Sequence, residues 1–291
     1  MQCLRPIRVH IGTPSECLVP CGKCGICRQN YRNMWITRLK SENFTADYSF
    51  FITLTFDDDN LQYKEYVDIE TGEIIKKPFS DIKQLQLFLK RLRKLYPEQI
   101  RYFAVSEYGE KTLRPHWHML LFIYTKNFDQ KKFYDDVTNT WQKGILYFGS
   151  CTDASITYVS KYILKISRMP LGIKDTRMLC SRRPAIGSYY ILNRRDYVLK
   201  SGNFAQLHMY GQTAAMPRLF RDKFKSEYYN EHSEAELANK RSISYLIEER
   251  DRKLKEEFEK SNFEDFSLFL QWKSTQYDER QKVNVVKHDK I

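Results

Sequence analysis

The chain has 291 residues, 42% of them hydrophobic and 14% aromatic, with a formal net charge of +12. This composition excludes an intrinsically disordered chain and allows one large domain or two smaller ones. A protein this basic usually binds a polyanion, and nucleic acid is the first expectation. No apolar run approaches the roughly 18 residues of a membrane span. The first residues lack a signal-peptide core, so we expect a cytosolic protein without a membrane partner.

Four of the seven cysteines crowd one short stretch, at Cys17, Cys21, Cys24 and Cys27. Glycines and a proline between them allow the tight turns that bring four sulfurs to one ion. Four thiolates predict a structural, tetrahedral zinc site, with an iron–sulfur cluster as the chemical alternative. Because the stretch is so compact, Cys3 is a possible replacement for one of the four. Free structural thiols are the other interpretation.

The next patterns alternate between helix and strand. The spacing of Tyr31, Trp35 and Leu39 predicts a helix over 28–39, and period-two alternation predicts a strand over 48–56. Residues 61–80 are expected to form a hairpin or loop. Either Ser80 or Asp81 can cap the following amphipathic helix, which continues to Leu95. Another strand is predicted over 100–109.

The strand predicted from Arg114 to Phe122 contains two histidines separated by one residue. Residues i and i+2 of a strand share a face, so His116 and His118 are expected to project to the same side. A hairpin with the preceding strand would place Glu107 beside them, giving two imidazoles and a carboxylate that can hold a divalent metal ion. The alternatives are two partly buried structural histidines and a solvated carboxylate.

A helix over 128–141, a strand over 145–149 and a helix over 155–165 are predicted next. The last helix carries Tyr158 and Tyr162 one turn apart, and Lys161 and Lys165 at the same spacing. A tyrosine pair at this spacing also suits simple core packing.

Lys and Arg far outnumber Asp and Glu between residues 161 and 225, and aromatic residues are interspersed among them. Basic side chains bind phosphates and aromatic rings stack on unpaired bases, so this segment predicts a groove for single-stranded nucleic acid. From Ser233 onward the pattern is helical and highly charged, which is typical of solvated helix faces.

Three motifs in this order resemble the HUH endonuclease superfamily of rolling-circle replication initiators. Phe50–Thr55 is similar to its first motif, Pro115–His118 to its metal motif, and Tyr158–Lys165 to its two-tyrosine motif. Within the superfamily the chain resembles the replication initiation proteins of microviruses, of the gokushovirus type. That group also has a Cys-Gly-Lys-Cys-x-x-Cys segment before a Trp-containing helix, as at Cys21–Cys27 and Trp35.

The resemblance implies an α+β fold with a central antiparallel sheet, flanking helices and the metal strand in the middle. The implied domains are a Cys-rich zinc segment and helix (1–40), a catalytic domain with the basic DNA-binding segment (41–225) and a charged helical extension (226–291). His116, His118 and Glu107 would hold Mg²⁺ or Mn²⁺. Glu107 is the least firmly matched of these ligands, because the family's third ligand varies in type and position.

Tyr158 or Tyr162 would then nick one strand at the replicative-form origin through a 5′-phosphotyrosine link and leave a 3′-hydroxyl primer. The second tyrosine would rejoin the displaced strand, while Lys161 and Lys165 would stabilise a phenolate or neutralise phosphate. Expected partners are single-stranded DNA, the double-stranded origin, and a host helicase and polymerase in the bacterial cytoplasm. The alternatives are a zinc-containing DNA-binding regulator without cleavage, and a transposase or relaxase of the same superfamily.

Overall fold

A computed structural model of the chain describes residues 3–13, 17–67, 71–97, 100–109, 112–164, 177–209 and 211–288. Its strands, in chain order, are β1 (Ile7–Val9), β2 (Cys17–Val19), β3 (Tyr48–Thr55), β4 (Tyr63–Val67), β5 (Ile74–Pro78), β6 (Ile100–Tyr108), β7 (Pro115–Ile123), β8 (Leu146–Ser150), β9 (Met178–Cys180), β10 (Gln206–Met209) and β11 (Gln212–Ala215). Its helices are α1 (Gly25–Thr45), α2 (Ile82–Leu95), α3 (Gln130–Trp141), α4 (Asp153–Lys161), α5 (Ser188–Leu192), α6 (Arg195–Ser201), α7 (Arg218–Glu231), α8 (Ser233–Glu259) and α9 (Phe266–His288).

A five-stranded antiparallel sheet, in the order β8-β3-β7-β6-β9, is the largest sheet of the described residues. The two-histidine strand β7 is its middle strand, as the sequence predicts. Strand β7 pairs with β3 on one side and with β6 on the other, over nearly its whole length. The predicted α+β fold with a central antiparallel sheet and flanking helices is therefore confirmed.

One face of this sheet forms the hydrophobic core against α2 and α3. Trp117, Met119 and Leu121 of β7 are fully buried there, as are Phe88 and Phe133 of the two helices. Burial of each such side chain stabilises the fold by roughly 1.5–3 kcal/mol. Asp81 and Asp129 cap the helices by accepting hydrogen bonds from backbone N–H groups in the first turn.

The opposite face of the sheet is covered by the C-terminal half of α1 and by α4. Trp35 of α1 packs on Phe103 of β6, with ring centroids 5.0 Å apart. A capping box fixes the start of α4, because Thr152 and Ser155 satisfy each other's backbone N–H groups. This face carries both predicted histidines.

Two of the predicted helices differ from the structure in length. Helix α1 extends to Thr45 because Ser41 and Thr45 donate their hydroxyl groups to carbonyls one turn back, which satisfies polar side chains inside the helix. Helix α4 ends at Lys161, and Tyr162 is its C-cap. Lys165, predicted to belong to this helix, lies outside the described residues.

By packing, the chain divides into two compact units. One contains Met1–Met34, Tyr197–Leu207 and Arg218–Ile291, and the other contains Trp35–Asp196 and His208–Pro217. The three-domain division expected from the sequence stays a prediction. Among the helices of the described residues, none combines the length and the apolar character needed to cross a bilayer.

Candidate active site and cysteine cluster

The candidate active site is built around His118 in the middle of the sheet. Its Nε2 atom lies 2.9 Å from a carboxylate oxygen of Glu107, and its Nδ1 atom lies 3.1 Å from the hydroxyl of Thr53. The imidazole is 5% exposed, so both contacts are shielded from water. A carboxylate can only accept here, so Nε2 donates to Glu107 and, in the neutral ring, Thr53 donates to Nδ1.

Strand pairing explains why these three side chains meet. Thr53 of β3 is paired directly with His118, and Glu107 of β6 is paired with His116, one position along the same face. The predicted hairpin that brings Glu107 beside the histidines is therefore present. Thr53 was not singled out as a site residue, because its contact depends on the register between two strands more than sixty residues apart.

His116 lies on the same face of β7, half-buried near Gly109. Its Nδ1 atom is buried and has no hydrogen-bond partner among the described residues. Burial lowers the pKa of His116, and the neighbouring His118 lowers it further, against the opposing effect of Glu107. A neutral imidazole with a free nitrogen is the form that binds a metal ion.

The chemistry of this donor set fits a divalent metal ion, but its atoms are not gathered around one point. Among the described residues, the group of three or more potential ligands whose donor atoms all lie within 4.8 Å of one another consists of cysteines. His118 and Glu107 are in contact with each other, whereas His116 stands apart from that pair. The predicted metal set of His116, His118 and Glu107 therefore stays a prediction.

The two tyrosines of α4 lie directly over His118. The Tyr162 ring stacks on the imidazole with centroids 4.7 Å apart, and the Tyr158 ring meets it edge-on at 5.4 Å. The two phenol rings contact each other at 5.1 Å. Tyr162 is 7% exposed, whereas Tyr158 is 39% exposed. The structure thus brings both predicted tyrosines to the predicted metal pair.

The environments of the two phenols differ in their effect on ionisation. Burial raises the pKa of Tyr162 well above its ordinary value, and the Tyr158 hydroxyl and the Glu107 carboxylate raise it further. The phenolate of Tyr162 is therefore disfavoured unless a positive charge is supplied. Lys161, a predicted source of such charge, is the last residue of α4 and is half-buried.

A second cluster contains four sulfurs near the N-terminus, from Cys3, Cys21, Cys24 and Cys27. The Cys3 sulfur lies 3.5 Å from that of Cys21 and 3.9 Å from that of Cys24. A tetrahedral zinc ion with bonds of about 2.3 Å would place its sulfurs about 3.8 Å apart. The cluster can therefore hold a metal ion of this kind.

The predicted ligand Cys17 is not in this cluster, and Cys3 takes its place. Cys17 belongs to β2, where it pairs with Val9 and is exposed. An extended strand carries its side chain away from the tight turns that gather the other three thiols. Compactness of the Cys17–Cys27 stretch suggested such a replacement, and the structure selects Cys3.

The thiols of the cluster do not ionise equally. Burial raises the pKa of Cys21, but hydrogen bonds from the backbone N–H groups of Cys24 and Lys23 and from neighbouring thiols bring it down to about 6. Burial and adjacent sulfurs raise the pKa of Cys27 to about 12 and also raise that of Cys24. Four thiolates at this distance therefore need a bound cation to stay ionised together.

Residues 49–167 match a family model described as replication-associated protein, of the ORF2 type. The chain is a relative of phage replication-associated proteins. The resemblance inferred from the motifs is confirmed. The matched segment runs from β3 through α4 and so contains Thr53, Glu107, both histidines and both tyrosines, whereas the cysteine cluster precedes it.

Similar proteins extend the match beyond that segment. Replication-associated protein VP4 of Bdellovibrio phage phiMH2K is 26% identical, with 94% of this chain and 90% of the relative covered. Replication-associated protein ORF2 of Spiroplasma virus 4 is 25% identical, with 87% and 86% covered. Replication-associated protein ORF4 of Chlamydia phage 1 is 26% identical, with 73% and 57% covered.

A solved structure of the N-terminal nuclease domain of minute virus of mice non-structural protein-1 is also similar. It is 14% identical and covers 58% of this chain and 83% of its own, with a TM-score of 0.20. At that TM-score the similarity contributes nothing to the assignment of a site.

Proposed function

We propose that this protein initiates rolling-circle DNA replication by nicking one strand of a phage origin through a tyrosine–DNA intermediate. The observation that carries the proposal is the contact of His118 with Glu107 on one side and with Tyr162 and Tyr158 on the other. An imidazole, a carboxylate and two phenols on one sheet face form a set that suits phosphoryl transfer to tyrosine. Relatives named as replication-associated proteins support the choice of DNA as substrate.

In the proposed reaction, a tyrosine oxygen forms a bond to phosphorus while the bond from phosphorus to the 3′-oxygen breaks. The phenol loses its proton and the departing 3′-oxygen gains one, so no net proton is consumed. The DNA is left with a free 3′-hydroxyl and a 5′-phosphate linked to tyrosine. A second attack, by the other tyrosine, would transfer the strand and allow a circle to close.

The residues of this chain supply orientation and proton acceptance. Glu107 lies beside His118 and influences the Tyr162 phenol, so it is placed to accept the phenolic proton. His116, His118 and Glu107 would hold a divalent ion, which supplies Lewis-acid stabilisation of the scissile phosphate when bound. With Nε2 of His118 given to an ion, Nδ1 must carry the proton, and the Thr53 hydroxyl can accept from it.

Exposure divides the roles of the two tyrosines. Tyr158 is 39% exposed and can be reached by an incoming strand, whereas Tyr162 is nearly buried between α4 and His118. We therefore assign Tyr158 to the first attack and Tyr162 to the second. Lys161, at the end of the same helix, is assigned to neutralising phosphate charge.

Covalent capture tests the proposal directly. The protein is incubated with Mn²⁺ and a set of single-stranded oligonucleotides tiling the phage genome, and adducts are separated by denaturing electrophoresis. An adduct resistant to SDS that disappears in the Tyr158→Phe, Tyr162→Phe double variant supports the proposal. If no oligonucleotide gives an adduct while DNA still binds, the protein is a DNA-binding regulator instead.

A further inference from the structure

A cavity of about 710 Å³ lies where the first residues of β6, strand β9 and the end of α2 meet. We call it the arginine pocket, after the side chains that dominate its wall. These are Arg93, Arg101, Tyr102, Arg182, Arg183 and Tyr189. Its volume is within the range of pockets that bind small molecules, which is roughly 300–1,000 Å³.

The wall of the arginine pocket is strongly cationic, since none of its lining residues is Asp or Glu. Arg93, Arg182 and Arg183 are exposed and form no ion pair with a described residue. Arg93 packs on the Tyr102 ring, 5.3 Å from its centroid. Burial raises the pKa of Tyr102, and the charges of Arg93 and Arg182 act in the opposite direction, so both guanidinium groups face this phenol. An anion is the ligand that such a wall attracts.

The loop that carries Arg182 and Arg183 is held from beneath by a buried carboxylate. Glu42, fully buried, pairs with Arg101 and accepts a hydrogen bond of 2.6 Å from the Gly187 backbone N–H group. Arg101 in turn donates to the Pro184 carbonyl at 2.9 Å. The loop is therefore fixed at both Pro184 and Gly187 before any ligand arrives, which lowers the cost of binding.

Gly187 is required for this arrangement. Its φ of +84° lies in the left-handed region, and a Cβ atom added there would be 2.8 Å from the Arg38 carbonyl oxygen. Only glycine allows the loop to pass so close to helix α1. The position of the two free arginines is thus built into the backbone.

An aromatic ring lines the same cavity and remains accessible. Tyr189 contacts the Arg101 guanidinium at 5.3 Å and the Tyr124 ring at 5.2 Å, which hold it in place. It is nevertheless 43% exposed. An exposed, supported ring next to unpaired arginines can stack on a base while the arginines bind its phosphate.

We propose that the arginine pocket binds a nucleotide, with its phosphate on Arg182, Arg183 and Arg93 and its base against Tyr189. The nucleotide is either a unit of single-stranded DNA or a free nucleoside triphosphate. The pocket is separate from the candidate active site. Tyr102 and Glu107 are five positions apart on β6, hence about 17 Å along the strand and on opposite faces. The inference rests on the proposed function only in its choice of DNA as the polymer.

Matched charge removal tests the phosphate contacts. Fluorescence anisotropy measures the binding of a labelled oligothymidylate to the full chain, to an Arg182→Gln, Arg183→Gln variant and to a Lys90→Gln, Lys94→Gln variant. Lys90 and Lys94 are exposed on α2 and do not line the cavity, so the control removes the same charge nearby. We expect about a tenfold loss of affinity for the arginine variant and a much smaller loss for the control. Equal losses in the two variants would overturn the proposal.

Competition identifies the source and the base contact. Unlabelled dTTP and inorganic tripolyphosphate are added to the protein with the labelled strand. Displacement by dTTP indicates a free nucleotide, and displacement by oligonucleotide alone indicates a strand. Tyr189→Leu should weaken the competent ligand about tenfold, and Tyr189→Phe should preserve it. If tripolyphosphate competes as well as dTTP and Tyr189→Leu has no effect, the ligand is an anion and not a nucleotide.

These measurements separate the pocket from the nicking activity. Binding needs no cleavage, so a chain that never forms a covalent adduct can still show the arginine-dependent affinity. Conversely, a chain that forms the adduct and binds DNA equally in both charge variants retains the proposed function and loses the pocket. Single Arg182→Gln and Arg183→Gln variants, both at exposed side chains, serve if the double variant does not fold.

Discussion

The ring of Tyr162 is stacked on the ring of His118, with centroids 4.7 Å apart and planes 16° from parallel. A predicted nucleophile therefore shares its immediate surroundings with a predicted metal ligand. Any ion or phosphate that binds at His118 must alter the position or the ionisation of Tyr162. Tyr158, one turn earlier on α4, contacts both rings at their edges.

The two tyrosines should differ in their contribution to the first cleavage. We expect Tyr158→Phe to lose most of the first cleavage and Tyr162→Phe to keep a larger share, because Tyr158 is the more exposed phenol. The double variant should form no adduct. Strand transfer, which needs two successive attacks, should be impaired in both single variants. Quantified adduct and transfer yields on a single-stranded origin oligonucleotide provide the measurement.

The corresponding control is the folded state of the double variant. Each change removes only a hydroxyl group, so circular dichroism should be unchanged and the melting temperature nearly so. A folded double variant that still links to DNA would place the nucleophile elsewhere. Greater loss of first cleavage in Tyr162→Phe than in Tyr158→Phe would reverse the proposed order of attack.

Thr53 is expected to act as a positioning residue for His118. Thr53→Val keeps the shape of the side chain but removes the hydroxyl that lies 3.1 Å from Nδ1. A partner of this kind typically changes metal affinity or activity by 10- to 100-fold, so we expect a loss of about tenfold in cleavage rate. Raising the Mn²⁺ concentration should restore part of that loss. Rates measured across a Mn²⁺ titration provide the test.

Thr53→Ser is the matched control, because it keeps the hydroxyl. It should cleave at close to the wild-type rate and require the same Mn²⁺ concentration. If Thr53→Val and Thr53→Ser behave alike, the hydroxyl has no role in orienting His118 and the contact is only structural.

Much of this site follows from strand periodicity. Alternation along β7 places His116 and His118 on one face and buries Trp117 on the other, and the short hairpin from β6 brings Glu107 to the same place. These relationships are local in the chain, so the sequence contains enough information to predict them. The pairing of Thr53 with His118 joins strands far apart in sequence, and neither strand alone reveals the register.

Cys3 and Glu42 show the same difficulty in different ways. The spacing of thiols cannot decide which of them reaches an ion, because Cys3 approaches from the far side of the β1–β2 hairpin. Glu42 has the sequence pattern of a solvated helix residue, yet it is fully buried. Its burial depends on Arg101, Tyr124 and the Gly187 N–H group, which arrive from three later segments.

The cysteine cluster gives a prediction with an internal control. Cys3→Ser should abolish stoichiometric zinc binding and lower the melting temperature by roughly 5 °C or more, because metal binding contributes folding free energy. Cys17→Ser should change neither, since Cys17 is exposed and outside the cluster. Elemental analysis and thermal melts of both variants make the comparison.

Two outcomes would contradict the cluster as described. Wild-type protein that contains neither zinc nor iron would show that no structural metal is held. Loss of metal in Cys17→Ser with retention in Cys3→Ser would restore the ligand set expected from the sequence and reject the one in the structure.

Glu42→Gln should destabilise the protein strongly without touching the candidate active site. The change leaves the Arg101 guanidinium buried without its counter-charge, and breaking a buried ion pair in this way typically costs about 3–5 kcal/mol. Urea denaturation of the variant measures the loss in free energy of unfolding. A Glu42→Gln, Arg101→Gln variant removes the unpaired charge as well and should recover part of that loss. A single variant within about 0.5 kcal/mol of wild type would show that the pair contributes no stability.

Tyr162 occupies the last position that α4 can hold, and this gives the helix end a way to respond to DNA. As the C-cap it is tied to the helix by one backbone hydrogen bond, of 3.2 Å to Val159, whereas Tyr158 lies within the helix. Helix ends open with little free energy, so the last turn can unwind while the sheet and its histidines stay in place. Local opening of that turn would expose the second phenol when the first is already bonded to DNA, and amide hydrogen exchange at Tyr162 would record it as the earliest opening in α4.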